Sequence, residues 1–344
     1  MRALVPHAWL ARLLAACAAS CLCACAQTDV VAIEQSLCVH AGDCKAKGAC
    51  GAQICGDTPS ATAPAAQVGD GCSDADPSAQ SFRFALCSCT DLVSTHALTV
   101  DVQGSSGKDA ASVGIDGSLD LTQAARIDGS LQVAGAISGG ATPQVAGSVL
   151  EHANPACNCA TDNLLDIPAL TSAHASSNDD AARGLDPRML DGFQGAQQLS
   201  LDGGTLYLSR IAGSGPLTLK VQGAVVLLVG AEIALDDAFT VELAPGATLD
   251  LFVASTVRVT GALTLGDAAS ASRVRVYVGG SGTIDLGGDA VIAGPLYAPR
   301  SELVTRGRFE IYGPLFVRRA APGGELIIHY APSYALPAVC ASPT

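Results

Sequence analysis

The chain has 344 residues, 49% of them hydrophobic but only 4% aromatic and 15% charged. Its apolar content is therefore small and aliphatic, and disorder of the whole chain is excluded. With 32 acidic against 19 basic residues the net charge is -13, which repels phosphate backbones and excludes nucleic acid as a partner.

Residues 1–24 carry Arg2 and Arg12, no acid, and an apolar run from Leu13 to Ala24, the layout of a secretory signal and too short to span a bilayer. Fourteen cysteines would be a hazard in a reducing cytosol unless they held metal, so the cysteine count also points to export. Leu22-Cys23-Ala24-Cys25 resembles the lipobox of bacterial lipoproteins. That resemblance implies that Cys25 is diacylated and becomes the mature N-terminus, with Cys17 and Cys21 as further candidates and ordinary signal cleavage as the alternative. Cleavage at Cys25 removes both arginines and lowers the net charge by two, to -15. The partner so implied is a membrane reached through acyl chains. The location is the cell envelope, at the outer membrane or cell surface.

Residues 25–56 hold Cys38, Cys44, Cys50 and Cys55 among few large apolar residues, which reads as a small disulfide-stapled knob. A zinc site would call for paired C-x2-C ligands instead. Residues 57–71, rich in Pro, Ala, Thr and Gly, read as a tether.

The remainder predicts an all-β chain, a β-solenoid (β-helix) of short stacked strands. In a first segment, residues 72–150, Ile115-Asp116-Gly117-Ser118-Leu119 recurs twelve residues later as Ile127-Asp128-Gly129-Ser130-Leu131. Val133-Ala134-Gly135 recurs at the same interval as Val145-Ala146-Gly147, and apolar residues alternate within each unit, as one inward face requires. Residues 151–198 interrupt the pattern and read as a loop-rich insertion with one or two short helices, the best helix signals lying between Ser176 and Phe193.

The main solenoid is expected over 199–331, before a tail at 332–344. Its strands read LTLKV, AVVLLV, FTVEL and LDLFV, and Gly288 to Ala298 aligns with Gly307 to Val317 at an offset of 19 residues. At about 19 residues per coil this array makes roughly seven coils and a rod of about 34 Å. A β-sandwich shares the strand spacing but explains neither the repeated bends nor the scarcity of rings, which a narrow aliphatic lumen would exclude.

Two constellations could carry chemistry. Cys87-Ser88-Cys89 and Cys157-Asn158-Cys159 flank the first segment with His96 and His152 nearby in sequence, so the thiols either ligate metal or, pointing the same way from neighbouring strands, form two parallel disulfides. The disulfide reading is preferred, and Cys72 with Cys340 completes an even set of ten cysteines after Cys25. No resident metal or cofactor is expected. Acidic turns such as Asp116-Gly117, Asp128-Gly129 and Asp236-Asp237 match no calcium loop. Asp285, Asp289, Arg300, Glu302, Arg306, Arg308 and Glu310 are the side chains a polysaccharide-cleaving β-helix would use. Their alternating signs read instead as an outer face laced with ion pairs, and Arg318-Arg319 as a solvated edge.

Ala293-Gly294-Pro295-Leu296-Tyr297-Ala298-Pro299, Ile311-Tyr312-Gly313-Pro314-Leu315-Phe316-Val317 and Ile328-His329-Tyr330 are similar to a β-solenoid domain of unknown function. That domain lies at the C-terminal end of PilX-type pilus-assembly proteins and other bacterial surface proteins. Arg300-Ser301 stands where that family has Asn-Ala, and Ala331 where it has Asp. The knob behind the lipobox resembles the short Cys-rich N-termini of myxobacterial lipoproteins. The resemblance implies a place at the cell envelope and no established catalytic residues, and the tether-plus-rod layout without a catalytic motif points to a non-catalytic structural, adhesive or binding role there. A glycan or envelope protein, or a further copy of the chain, would be the partner, and a polysaccharide-active enzyme or self-assembling scaffold is the alternative.

Overall fold

The structure, a computed structural model, describes residues 82–103 and 111–331. The signal segment, Cys25, the knob cysteines Cys38, Cys44, Cys50 and Cys55, the tether, Cys72 and Cys340 lie outside the described residues.

Aliphatic residues at alternate positions turn inward throughout. In Leu217–Val221 the side chains of Leu217, Leu219 and Val221 are buried while Thr218 and Lys220 face out. An N-terminal module comprises β1 (Leu86–Ser88), β2 (Leu92–Ser94), β3 (Leu98–Val102), β4 (Val113–Ile115), β5 (Leu119–Leu121), β6 (Ala125–Ile127), β7 (Leu131–Val133), β8 (Ile137–Gly139), β9 (Gln144–Val145) and β10 (Val149–Glu151). Two helices follow, α1 (Ile167–His174) and α2 (Asp180–Arg183). The C-terminal module opens with β11 (Asp191–Gln194), β12 (Gln197–Leu201), β13 (Gly204–Leu208), β14 (Ile211–Ser214), β15 (Leu217–Val221), β16 (Ala224–Val229), β17 (Ile233–Leu235), β18 (Phe239–Leu243) and β19 (Thr248–Val253). It continues with β20 (Val257–Val259), β21 (Leu263–Leu265), β22 (Val274–Val278), β23 (Thr283–Leu286), β24 (Ala290–Ile292), β25 (Leu296–Thr305), β26 (Phe309–Ile311), β27 (Leu315–Pro322) and β28 (Leu326–Tyr330).

Successive strands occupy three faces in turn, and like strands stack in parallel register from coil to coil. One face runs β13, β16, β19, β22, β25, β27, β1, β4, β7, β10. The second runs β11, β14, β17, β20, β23, β25, β27, β2, β5, β8. The third runs β12, β15, β18, β21, β24, β26, β28, β3, β6, β9. The long strands β25 and β27 turn a corner and serve two faces. Ten strands per face at about 4.8 Å give a rod of roughly 43 Å.

The order of coils in space is not their order in sequence. The N-terminal module, read from sequence as a separate array ahead of the main one, stacks on the far end of the C-terminal module. Leu86 pairs with Leu315, Leu92 with Ala320, and Leu98–Val102 with Leu326–Tyr330. The coil at this seam takes one side from β28 and the other two from β1 and β2. There the Tyr330 hydroxyl donates to the Phe82 carbonyl at 3.1 Å. The twelve-residue repeat also has a different geometry from the one expected. Val113 stacks on Leu131, and Leu131 on Val149, eighteen residues apart, so twelve residues span two of a coil's three strands.

Further features have local causes. The span 151–198 holds two short helices, as its signals predict; the one between Ser176 and Phe193 is α2, ended by Gly184 in the left-handed conformation. The longer α1 precedes that span: Asp166 caps it by accepting from Ala169 N at 3.1 Å, and Pro168 sits in its first turn, where the missing N–H costs nothing. The rod begins at Asp191, not at Leu199, because β11 lacks the alternation that marks later strands. Finally, the lumen does take rings, at Phe193, Phe239, Phe309 and Tyr330, but most of the described aromatics pack outside it.

The two ends of the rod differ. At the start of the C-terminal module, the edge amides of Thr205 and Tyr207 donate to the carboxylates of Asp179 (2.8 Å) and Asp180 (3.0 Å). Burial pushes the Asp180 carboxyl up, against the Tyr207 hydrogen bond. At the other end β10 is exposed along its whole length, with Val149 and Leu150 facing solvent.

Candidate binding cleft at a solenoid corner

Outward residues of the first face form a column that pairs Tyr207, Leu228, Phe252, Tyr277, Tyr297, Phe316 and Cys87 in successive coils. Phe252 and Tyr277 stack with centroids 4.5 Å apart, and Tyr297 meets Phe316 edge-on at 5.4 Å. Ile167 and Leu170 of α1 pack into this cluster. Gly279 lets them in, since a Cβ there would run into Pro168. Beside the column Asp250 and Arg275 form a buried ion pair. Burial alone would pull the Arg275 guanidinium down, but the Asp250 charge outweighs it and keeps it firmly charged. Burial also pushes the Tyr277 and Tyr297 phenols up. The Tyr297 oxygen accepts from Leu165 N at 3.0 Å, tying the linker between β10 and β11, residues 152–190, to the rod.

The linker is fastened more strongly one coil further on. Cys87 bonds Cys157 and Cys89 bonds Cys159, with Cα separations of 5.8 and 5.7 Å. Asp116 Oδ1 accepts from Ala156 N (2.6 Å) and Cys157 N (2.9 Å), while burial pushes its carboxyl up. Asp116, Cys157 and Cys159 lie close enough together to share a cation, but both sulfurs are spent in disulfides. His96 and His152 are exposed and lie outside that group.

Between the clamp and the rod lies an open cleft of about 460 Å³ whose walls include Thr161, Ser281, Arg300, Arg318 and the Cys89–Cys159 disulfide. A β-bulge builds it. Between the pairs Ala298–Val317 and Glu302–Arg319, β25 has three residues where β27 has Arg318 alone. Ser301 turns inward and its hydroxyl donates to Gly280 O at 2.6 Å, while Arg300 lies at the cleft. Among the described residues no carboxylate lines the cleft and none pairs with Arg300. Arg318 donates through Nε to Arg300 O at 3.2 Å. Its nearest carboxylate, Glu302, is 4.0 Å away and pairs with Arg319 at 2.7 Å. In an acidic chain this is a concave, net-positive spot.

The other charged residues singled out from sequence do not converge. Asp285 takes Arg306 in two hydrogen bonds at 2.6 and 3.2 Å, Arg308 meets Glu310 at 3.0 Å, and Asp289 accepts from Arg308 N at 2.9 Å. Asp236 pairs with Arg258 and Asp128 with Arg126. One cluster crosses the seam: His329 lies between Asp101 (Nδ1, 2.8 Å) and Glu310 (Nε2, 3.0 Å), stacked on Tyr312, whose hydroxyl donates to Glu310 at 2.6 Å. Sequence reasoning placed Arg318 on a solvated edge and Arg300 on an ion-paired face, whereas both line the cleft. The available signal was Arg300-Ser301 standing in place of Asn-Ala.

Residues 166–335 match a domain of unknown function, DUF7305. The DUF7305 match starts at the cap of α1 and takes in every strand of the C-terminal module, while the N-terminal module that completes the rod precedes it. No curated protein matches the chain. Two solved structures align over most of it. An ice-binding protein from an Antarctic biological consortium is 14% identical over 72% of this chain and 87% of that one, with a TM-score of 0.31. An ice-binding protein from the Antarctic ascomycete Antarctomyces psychrotrophicus is 12% identical over 73% and 94%, with a TM-score of 0.27.

Proposed function

We propose that this chain is an exported, lipid-anchored envelope protein that works without catalysis, as a stiff rod holding a binding cleft away from the membrane. The observation that carries the binding role is the cleft at the β25 bulge, where a polar concavity is walled by the rod, the linker and a disulfide at once. Rigid walls suit binding, because little order has to be gained when a ligand arrives. The paired disulfides support an oxidising location, and the lipobox-like Leu22 to Cys25 supports anchoring. Metabolic labelling with a fatty-acid probe tests the anchor: label lost in Cys25→Ser supports it, and label retained there moves the anchor elsewhere. A glycan array followed by product analysis tests the role, and cleavage of any bound glycan would overturn it. Self-association is a second reading, favoured by the bare β10 edge with Val149 and Leu150 exposed. Sedimentation that shows only monomer at high concentration removes it.

A further inference from the structure

We propose that the cleft between Arg300 and Arg318 binds a small anionic saccharide, a sugar bearing a carboxylate or a phosphate, with both guanidinium groups on the oxyanion. The inference rests on reading the cleft as a binding site and adds the class of ligand.

The described arginines at 126, 210, 258, 275, 306, 308 and 319 each have a carboxylate within 4.0 Å at 3.0 Å or closer. Among the described residues Arg300 has none, as is also true of Arg83, Arg183, Arg188 and Arg273, and Arg318 has only the distant Glu302; of these arginines only Arg300 and Arg318 line the cleft. Two arginines on neighbouring strands that line one concavity, neither closely paired with a carboxylate, offer a fork for an oxyanion. The long-range field argues for a small ligand: a net charge of -13 opposes an extended polyanion, whereas one charged group inside a cleft is governed by its nearest neighbours.

The rest of the wall speaks for a sugar. Thr161 and Ser281, which carry hydroxyls, line the same cleft as the arginines, and Leu164 and Pro299 add apolar surface of the kind that packs on the C–H face of a pyranose. A volume of about 460 Å³ lies within the ~300–1,000 Å³ range of small-molecule sites. The four positions come from separate coils and the linker, so their spacing is held by the stacking of the rod and by the Cys89–Cys159 bond, not by a loop.

The test is titration calorimetry on the disulfide-intact exported chain, with a hexuronate, a hexose phosphate, the neutral hexose and inorganic phosphate as separate probes. Saturable binding is expected for the hexuronate or the hexose phosphate, at least tenfold tighter than for the neutral hexose or inorganic phosphate. Whichever of the two binds tighter identifies the charged group. Arg300→Gln and Arg318→Gln are expected each to weaken it at least tenfold with unchanged circular dichroism. Arg126→Gln, whose partner Asp128 has no contact with either cleft arginine, is expected to leave it unchanged. Equal affinity for the neutral hexose, or no loss in either cleft variant, overturns the ligand class while leaving a binding cleft in place. Binding of inorganic phosphate as tight as that of the sugars overturns the saccharide part. No saturable binding by any probe overturns the inference together with the reading of the cleft.

Discussion

Glu310 shows how one side chain couples distant parts of this chain. It belongs to β26, yet it accepts from Tyr312 and lies 3.0 Å from His329, which reaches on to Asp101 in the N-terminal module. An imidazole between two carboxylates donates to both only as imidazolium. Burial alone would raise the Glu310 carboxyl, but the hydrogen bonds from Tyr312 and His329 and the charge of Arg308 outweigh it and hold it below its ordinary value of 4.5. A carboxylate with a depressed folded pKa contributes stability above its unfolded value and loses it as pH falls through the folded one. The thermal midpoint of the intact chain is therefore expected to fall as pH drops below about 4.5, and to fall less steeply in Glu310→Gln. Identical slopes in circular-dichroism melts would show that Glu310 is not among the groups responsible.

At the scale of elements the decisive device is the double clamp on the linker. Each disulfide spans a sequence separation of 70 residues, but once either is closed the other seals only a ring of a few residues. Loop-entropy arithmetic gives about 4 kcal/mol for closing the long loop and about 2 kcal/mol for the short ring. Cys89→Ser/Cys159→Ser is accordingly expected to cost about 2 kcal/mol, and replacing all four cysteines about 6 kcal/mol, so that the second loss exceeds the first. Urea unfolding measures both, and equal successive losses would contradict the ring argument. The glycines at the corners work by close approach: a Cβ at Gly313 would sit 2.6 Å from the Gly294 carbonyl carbon of the preceding coil. Gly294 and Gly313 recur in the 19-residue repeat for that reason.

For the whole molecule the split coil matters most. The matched domain ends on β28, and in the full chain β1, β2 and β3 cover the edges of β27 and β28. Without them a row of unpaired backbone groups and the lumen residues Leu315, Val317, Leu326 and Ile328 would face water. A fragment of residues 166–335 is therefore expected to self-associate in light-scattering chromatography. Adding residues 82–159 in trans is expected to restore a one-to-one complex. A monodisperse monomeric fragment would show that the C-terminal module closes without its neighbour. The asymmetry of the ends follows from the same layout: acidic side chains before β11 satisfy one edge, whereas the rod stops at β10 where the linker leaves to run back beside it.

The sequence by itself determined the kind of structure. Alternating aliphatic residues, glycines at fixed intervals and the 19-residue echo at Gly-Pro-Leu-aromatic require strands that bury one face and bend often, and only a stacked coil repeats such bends. Local periodicity carries that information because each strand needs only its own pattern. Which coil follows which was decided by the tertiary structure, since Leu98 and Leu326 are apolar strand residues like dozens of others and nothing local marks them as partners. The same holds for the cleft. Arg300 and Arg318 look in sequence like the paired arginines around them. They differ because a three-residue bulge and a disulfide-bound linker set them in one open cleft with no carboxylate among its described lining residues, and that cleft exists once coils far apart in sequence have stacked.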